Sequence, residues 1–96
     1  MKEITRAEEL GKTNSLLKVG TPYCGPCQLI VENLKFVETK HPEIEFYEAN
    51  AEDAEDLVDE LGIRGVPALI RYKDGQEEKR HVGMMTIEQI EEFIKC

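Results

Sequence analysis

No stretch of this sequence strings together the roughly 20 apolar residues that a membrane-spanning helix needs. Residues 1–13 also lack the apolar core of a secretory signal, so neither a leader nor a bilayer span is expected. Positive charge is scarce: 12 lysines and arginines stand against 20 aspartates and glutamates, for a net charge of −8. Non-specific binding to nucleic acid or to an anionic membrane needs a basic surface, so neither partner is expected. Histidine occurs only at His41 and His81, and there is no second Cys-x-x-Cys beyond Cys24 and Cys27. A zinc site wants about four ligands, and these residues with Cys96 are too scattered to supply them. There is no repeat, linker or low-complexity tract. With 96 residues, 41% hydrophobic and 33% charged, the chain suits one globular domain over residues 1–96, with a single core. Three cysteines without a leader point to a reducing, cytoplasmic setting, where a Cys-x-x-Cys is more often catalytic than structural.

The chemistry concentrates in Thr21-Pro22-Tyr23-Cys24-Gly25-Pro26-Cys27. An apolar run, Leu16-Leu17-Lys18-Val19, precedes it, and an amphipathic segment from Gln28 to about Lys40 follows. A Cys-x-x-Cys between a strand and a helix reads as a dithiol redox site. Pro26 falls at the start of the helix, where its missing N–H costs nothing and its fixed φ helps. The free N–H groups and positive dipole end of that helix favour a thiolate at Cys24, and thiolate is the species that attacks disulfides. Cys27 is in phase with Ile30, Val31, Leu34 and Val37, the buried stripe, whereas Cys24 precedes the first full turn and stays open. Cys24 is thus the expected attacking thiol and Cys27 the resolving one. The competing structural reading is weak, because a disulfide across so short a loop removes little chain entropy. Cys96, the last residue, is expected to be dispensable.

Taken in order, Lys2 to Thr5 suggests a short strand and Arg6 to Lys12 a short helix. Ser15 to Gly20 is a strand with both faces covered, since its apolar residues are consecutive. The helix from Gly25 to Lys40 stops at His41-Pro42, because a residue before proline avoids the helical region. Glu45 to Asn50 is a strand with Ile44, Phe46 and Glu48 on one face and Tyr47 and Ala49 on the other. In Glu52 to Leu61 the residues Ala54, Leu57, Val58 and Leu61 follow helical spacing, with six acids on the solvated face and Gly62 as the stop. Ala68 to Lys73 and Glu77 to Val82 form a hairpin about Asp74-Gly75. Arg71, inside that first strand, is expected to snorkel or to meet an acid. Thr86 and Gln89 form a capping box for a last helix whose core face is Ile87, Ile90, Phe93 and Ile94. The order βαβαβαββα implies an α/β fold, a central mixed sheet with helices on both faces.

Cys-Gly-Pro-Cys after a strand, with Gly65-Val66-Pro67-Ala68 some forty residues on, resembles the thioredoxin family. Gly62-Ile63-Arg64, Lys73-Asp74-Gly75 and Val82-Gly83 extend the likeness over nearly the whole chain. The resemblance implies the thioredoxin fold and a cis Pro67 lying against the dithiol. It also implies that the backbone of Val66 pairs with an extended substrate by strand addition. Further, it implies a partner-binding surface of Tyr23, Gly25, Pro26, Val66, Pro67, Gly83 and Met84, with no such role for Met85.

The chain departs from that family at four places. Tyr23 stands where a tryptophan is usual, Gly20 where another aromatic is usual, and Glu32 where a proline kinks the helix. Lys18 replaces the buried aspartate thought to help deprotonate the resolving thiol. Lys18 interrupts an apolar strand, and Glu48 shares a face with Ile44 and Phe46. An isolated buried charge costs several kcal/mol, so the two are expected to pair beneath the dithiol and to act with it, the family's charges being exchanged between strands. A fully buried pair would make loss of Lys18 cost on the order of 3–5 kcal/mol. The alternative is a snorkelling Lys18 and a solvated Glu48. A cation there would favour thiolate at Cys24 or Cys27, leaving Glu48, through water, or a transiently neutral Lys18 as the proton acceptor.

The expected function is thiol–disulfide oxidoreductase: a monomer that reduces protein disulfides through Cys24 and Cys27, without a bound cofactor or metal. An external reductase or the glutathione system would restore the dithiol. Thr21-Pro22-Tyr23-Cys24 also looks like the approach to a glutaredoxin dithiol. However, Thr21 stands where glutaredoxins carry a glutathione-contacting lysine, so glutathione-dependent activity ranks second. A thioredoxin-fold adaptor without turnover ranks third, because the dithiol is intact.

Overall fold

The computed structural model describes residues 1–11 and 13–95, so the expectation for Cys96 lies outside the described residues. Five strands form one sheet in the order β1-β3-β2-β4-β5. They are β1 (Lys2–Glu3), β2 (Ser15–Gly20), β3 (Glu45–Asn50), β4 (Ala68–Lys73) and β5 (Gln76–Val82). β1 and β2 run parallel to β3, while β4 runs antiparallel to β2 and β5. The helices are α1 (Gly25–Lys40), α2 (Glu55–Leu61) and α3 (Ile87–Ile94). This is the expected mixed α/β architecture, and no helix among the described residues is long and apolar enough to cross a membrane.

Strand alternation divides the core. Leu17 and Val19 of β2 pack with Tyr47, Ala49 and Ile70 against Leu57 of α2. Leu16, Phe46 and Leu69 face the other way, against Ile30, Leu34 and Val37 of α1 and Ile90 and Ile94 of α3. Of the α1 stripe read from the sequence, Cys27, Ile30, Leu34 and Val37 are buried, and Val31 is only half-buried. Each such aliphatic side chain, taken from water to full burial, contributes roughly 1.5–3 kcal/mol, which seats α1 on the sheet.

Three elements are shorter than expected: β1 ends at Glu3 rather than Thr5, and two others are cut short for local reasons. The segment after β1 forms a single 3-10 turn, Ala7–Glu9. The Glu9 carboxylate accepts from the amides of Thr5 and Arg6 at 2.9 and 3.0 Å, and the Gly11 amide donates to the Tyr47 hydroxyl, which fastens the chain to the sheet before a helix can grow. α2 starts at Glu55, not Glu52. The Asn50 side-chain oxygen accepts from the Glu52 amide at 3.0 Å, and the Asn50 carbonyl from the Asp53 amide at 2.9 Å, so these residues turn before they can coil.

Arg71 does not snorkel; it is buried. Its Nε donates to the Ile94 carbonyl at 3.1 Å and its Nη1 to the carbonyls of Ser15 and Tyr72 at 3.2 and 2.7 Å. The guanidinium thereby ties the end of α3 to β2 and β4, and satisfies a carbonyl of the last helical turn. The capping box at the other end of α3 forms as expected, Gln89 N to Thr86 Oγ1 at 3.1 Å and Thr86 N to Gln89 Oε1 at 2.8 Å.

His41, which caps α1 at its C-terminus, lies between Glu43 at 3.0 Å and Glu91 of α3 at 2.6 Å. The bond to Glu43, then that to Glu91, holds the imidazole above its ordinary pKa against partial desolvation. A raised folded-state pKa stabilises fully below the unfolded value of about 6.5 and loses its effect as pH rises through the folded one. We therefore expect the urea midpoint to fall as pH rises above the ordinary histidine value of about 6.5. Glu91→Gln should reduce that fall, and an unaltered pH dependence in the variant would remove the clasp from the account.

Candidate dithiol site

β2 ends at Gly20 and α1 begins at Gly25, so Thr21 to Cys24 make the whole connection. Cys24 is the N-cap residue of α1, with extended backbone (φ −95°, ψ 111°), and its Sγ accepts a hydrogen bond from the Cys27 amide at 3.1 Å. The turn is held from both sides. The Cys24 amide donates to the Thr21 carbonyl at 3.4 Å, and the Gln28 side chain donates to the Pro22 carbonyl at 2.7 Å. Pro26 sits in the first helical turn, which carries no acidic residue, so the positive end of the helix bears on Cys24 uncompensated by a local carboxylate. Cys24 and Cys27 are joined in a disulfide, Cα–Cα 5.1 Å. Cys27 is 2% exposed, while Cys24 is only half-buried.

The Val66–Pro67 peptide is cis. In the sheet, Ala68 pairs with both Val19 and Val82, so Pro67 lies at the end of the sheet where β2 leaves for the dithiol. The Gly83 amide donates to the Pro67 carbonyl at 2.8 Å, with Gly83 at φ 113°. Around this end Tyr23 is 87% and Met84 41% exposed, while Met85 turns inward to Leu16 and Ile90. Gly25 and Pro26 are exposed and Val66 half-buried. Val82, which the sequence reading passed over, is an exposed apolar residue here; its signal was a valine ending an otherwise polar strand.

Lys18 and Glu48 are register partners on β2 and β3, with Nζ 3.8 Å from Oε1. The expectation of a buried pair needs correcting. Lys18 is buried, but the Glu48 side chain is 33% exposed, because β1, which covers β3 on that side, ends at Glu3. Burial lowers the Lys18 pKa, and the fields of Glu48 and Glu3 only partly oppose this. An open cavity of about 240 Å³ joins Lys18, Glu48, Glu3, Gly20 and Gln28 to Cys27. Glu3 and Gln28 escaped the sequence reading; only the β1–β3 register reveals Glu3. No cluster able to hold a metal ion occurs among the described residues.

Two cysteines three apart, bonded to each other at the head of a helix, can do one thing readily: exchange that disulfide for a partner's. The class is that of the thiol–disulfide oxidoreductases. Within it, the chain belongs to the thioredoxin family, whose sequence model matches residues 4–96. It is 32% identical over 74 residues to thioredoxin Asp f 28 of Aspergillus fumigatus, covering 76% of this chain and 68% of that one. It is 28% identical over 78 residues to an H-type thioredoxin of Fagopyrum esculentum, 81% of this chain and 66% of that one. The matched segments thus span about two thirds of those relatives. The fold is similar to that of Fasciola hepatica thioredoxin, with a TM-score of 0.88 at 22% identity over 98% of this chain and 96% of that one.

Because Glu48 remains open to water, the Lys18–Glu48 pair should behave as a half-exposed one. In a cycle of Lys18→Met, Glu48→Gln and the double variant, denaturant unfolding should give a coupling of about 1 kcal/mol rather than the larger loss of a sealed pair. A coupling near zero would separate the two residues energetically.

Proposed function

We propose that the protein reduces protein disulfides. The Cys24 thiolate attacks one sulfur of a partner's disulfide and forms a mixed disulfide, and the partner's other sulfur leaves as a thiolate. Cys27 then loses its proton and attacks Cys24. The Cys24–Cys27 bond forms, the second partner sulfur leaves and takes up a proton, and two electrons have passed to the partner. The observation that carries this reading is the Cys27 amide on the Cys24 sulfur within a disulfide at a helix N-terminus. Lys18 and Glu48 serve this second step together, Glu48 taking the proton through water and Lys18 supplying a cation beside it.

The partner lies along the surface of Tyr23, Gly25, Pro26, Gly83 and Met84, with Val82 extending it. Its extended chain pairs with the backbone of Val66 beside Pro67. The exposure of Tyr23 and Met84 supports this, since such side chains adapt to varied partners at low cost. The protein works as a cytoplasmic monomer in electron transfer to target proteins, with no nucleic-acid or membrane partner, and an external flavoprotein reductase restores the dithiol. Glutathione is the second candidate donor.

In Cys27→Ser, incubation with a disulfide substrate should accumulate a mixed disulfide at Cys24, read by mass spectrometry of the peptides. Trapping at Cys96 would overturn the assignment. Insulin reduction by the unaltered protein, driven once by a flavoprotein reductase and once by glutathione, identifies the donor class.

A further inference from the structure

Gly20 leaves a space beside Cys27 that a side chain would crowd. A Cβ there would stand 3.1 Å from both Cβ and Sγ of Cys27, and 3.7 Å from Cδ of Lys18. The first two approaches are closer than side chains normally tolerate. The sulfur and the lysine stem therefore both border the space where a side chain of residue 20 would be. Gly20 does not have a positive φ, so the backbone itself would accept alanine and only the space matters. That space belongs to the cavity of about 240 Å³ whose rim carries Glu48 and Glu3. The resolving thiol is thus almost inaccessible from the front, at 2% exposed, yet it backs onto an opening with one cation and two carboxylates.

We propose that the gap at Gly20 is the proton port of Cys27: the proton of Cys27 leaves through it, and Lys18 holds the resulting thiolate. Resting on the dithiol reading above, this names how its second step is controlled. The Cys27 S–H bond breaks, its electron pair stays on sulfur, and the proton passes by water to the carboxylate rim and so to solvent. The thiolate then displaces the partner's sulfur from Cys24 as already written, so atoms and electrons balance without a further reagent. The charged groups around Cys27 are Lys18 from β2, Glu48 from β3, Glu3 from β1 and, acting on Lys18, Lys35 from α1; no charged side chain of β4 lines the cavity among the described residues. Lys18 and Gly20 are positioning residues, since they act through Cys27 and touch no substrate.

The test separates the two thiol steps. Reduced Cys96→Ser protein, whose only thiols are Cys24 and Cys27, is the parent for every variant and is mixed with 5,5′-dithiobis(2-nitrobenzoate) in a stopped-flow cell across about pH 5 to 10. The first release of thionitrobenzoate reports attack by Cys24, the second resolution by Cys27. Lys18→Met should raise the pH midpoint of the second phase by about one unit, and Glu3→Gln should lower it by less. Opposite shifts from a lost cation and a lost anion follow from a field on Cys27; a general loss of packing cannot produce them. Gly20→Ala should slow the second phase at least about tenfold and leave the first at its normal rate. A second phase unchanged in Gly20→Ala would overturn the proposal. So would unshifted midpoints in both charge variants, which do not depend on Gly20→Ala folding. An equal change of both phases in Lys18→Met would also overturn it. A single release from the Cys96→Ser parent would instead overturn the dithiol reading beneath it.

Discussion

The Cys27 amide donates to the Cys24 sulfur at 3.1 Å, and the rest of the site depends on that bond. It can exist only if a strand ends and a helix begins with four residues between them. Those residues must turn so that the first cysteine caps the helix whose third residue is the second. The cap leaves Cys24 at the positive end of α1 with no carboxylate nearby in the first turn, which is what a nucleophilic thiolate requires. Burying Ile30, Leu34 and Val37 then makes the position of the helix a property of the whole core. Arg71 at the end of α3 and His41 at the end of α1 fasten the same layer from the far side. The chemistry at one end of the sheet is therefore supported by contacts at the other.

Charge beneath the dithiol follows from sheet order. β2 is flanked by β3 and β4, so a lysine at position 18 must meet Glu48 on one side and Leu69 on the other. Only the first offers a partner. The short β1 leaves Glu48 half-open, and the pair is correspondingly soft: burial lowers the Lys18 pKa more than its two carboxylate neighbours raise it. On the proposed mechanism, a lysine so placed tunes the Cys27 thiol rather than stabilising the fold.

Much of this was legible in the sequence because the strong signals were local. The bounds of β2, α1 and β3 follow from an apolar run, a helical stripe closed by His41-Pro42, and an alternating segment. The difference in exposure between Cys24 and Cys27 follows from phase alone. The rest needed contacts that periodicity does not report, some of them between residues remote in the chain. α2 lost its first residues to the Asn50 turn, and helix periodicity does not report on side-chain acceptors outside the helix. Arg71 read as an intruder because its acceptors, Ser15, Tyr72 and Ile94, converge only in three dimensions. Gly20 registered as a departure from the family pattern, but the space it leaves beside Cys27 became visible only when the two were placed together.

The central claim is that the start of α1 holds Cys24 ready as a thiolate. The most direct measurement is the rate of Cys24 alkylation by iodoacetamide in the reduced protein as a function of pH, with the modified cysteine identified by peptide mapping. The account predicts a midpoint clearly below the value of about 8.5 for an unperturbed thiol. A midpoint at or above that value would contradict it.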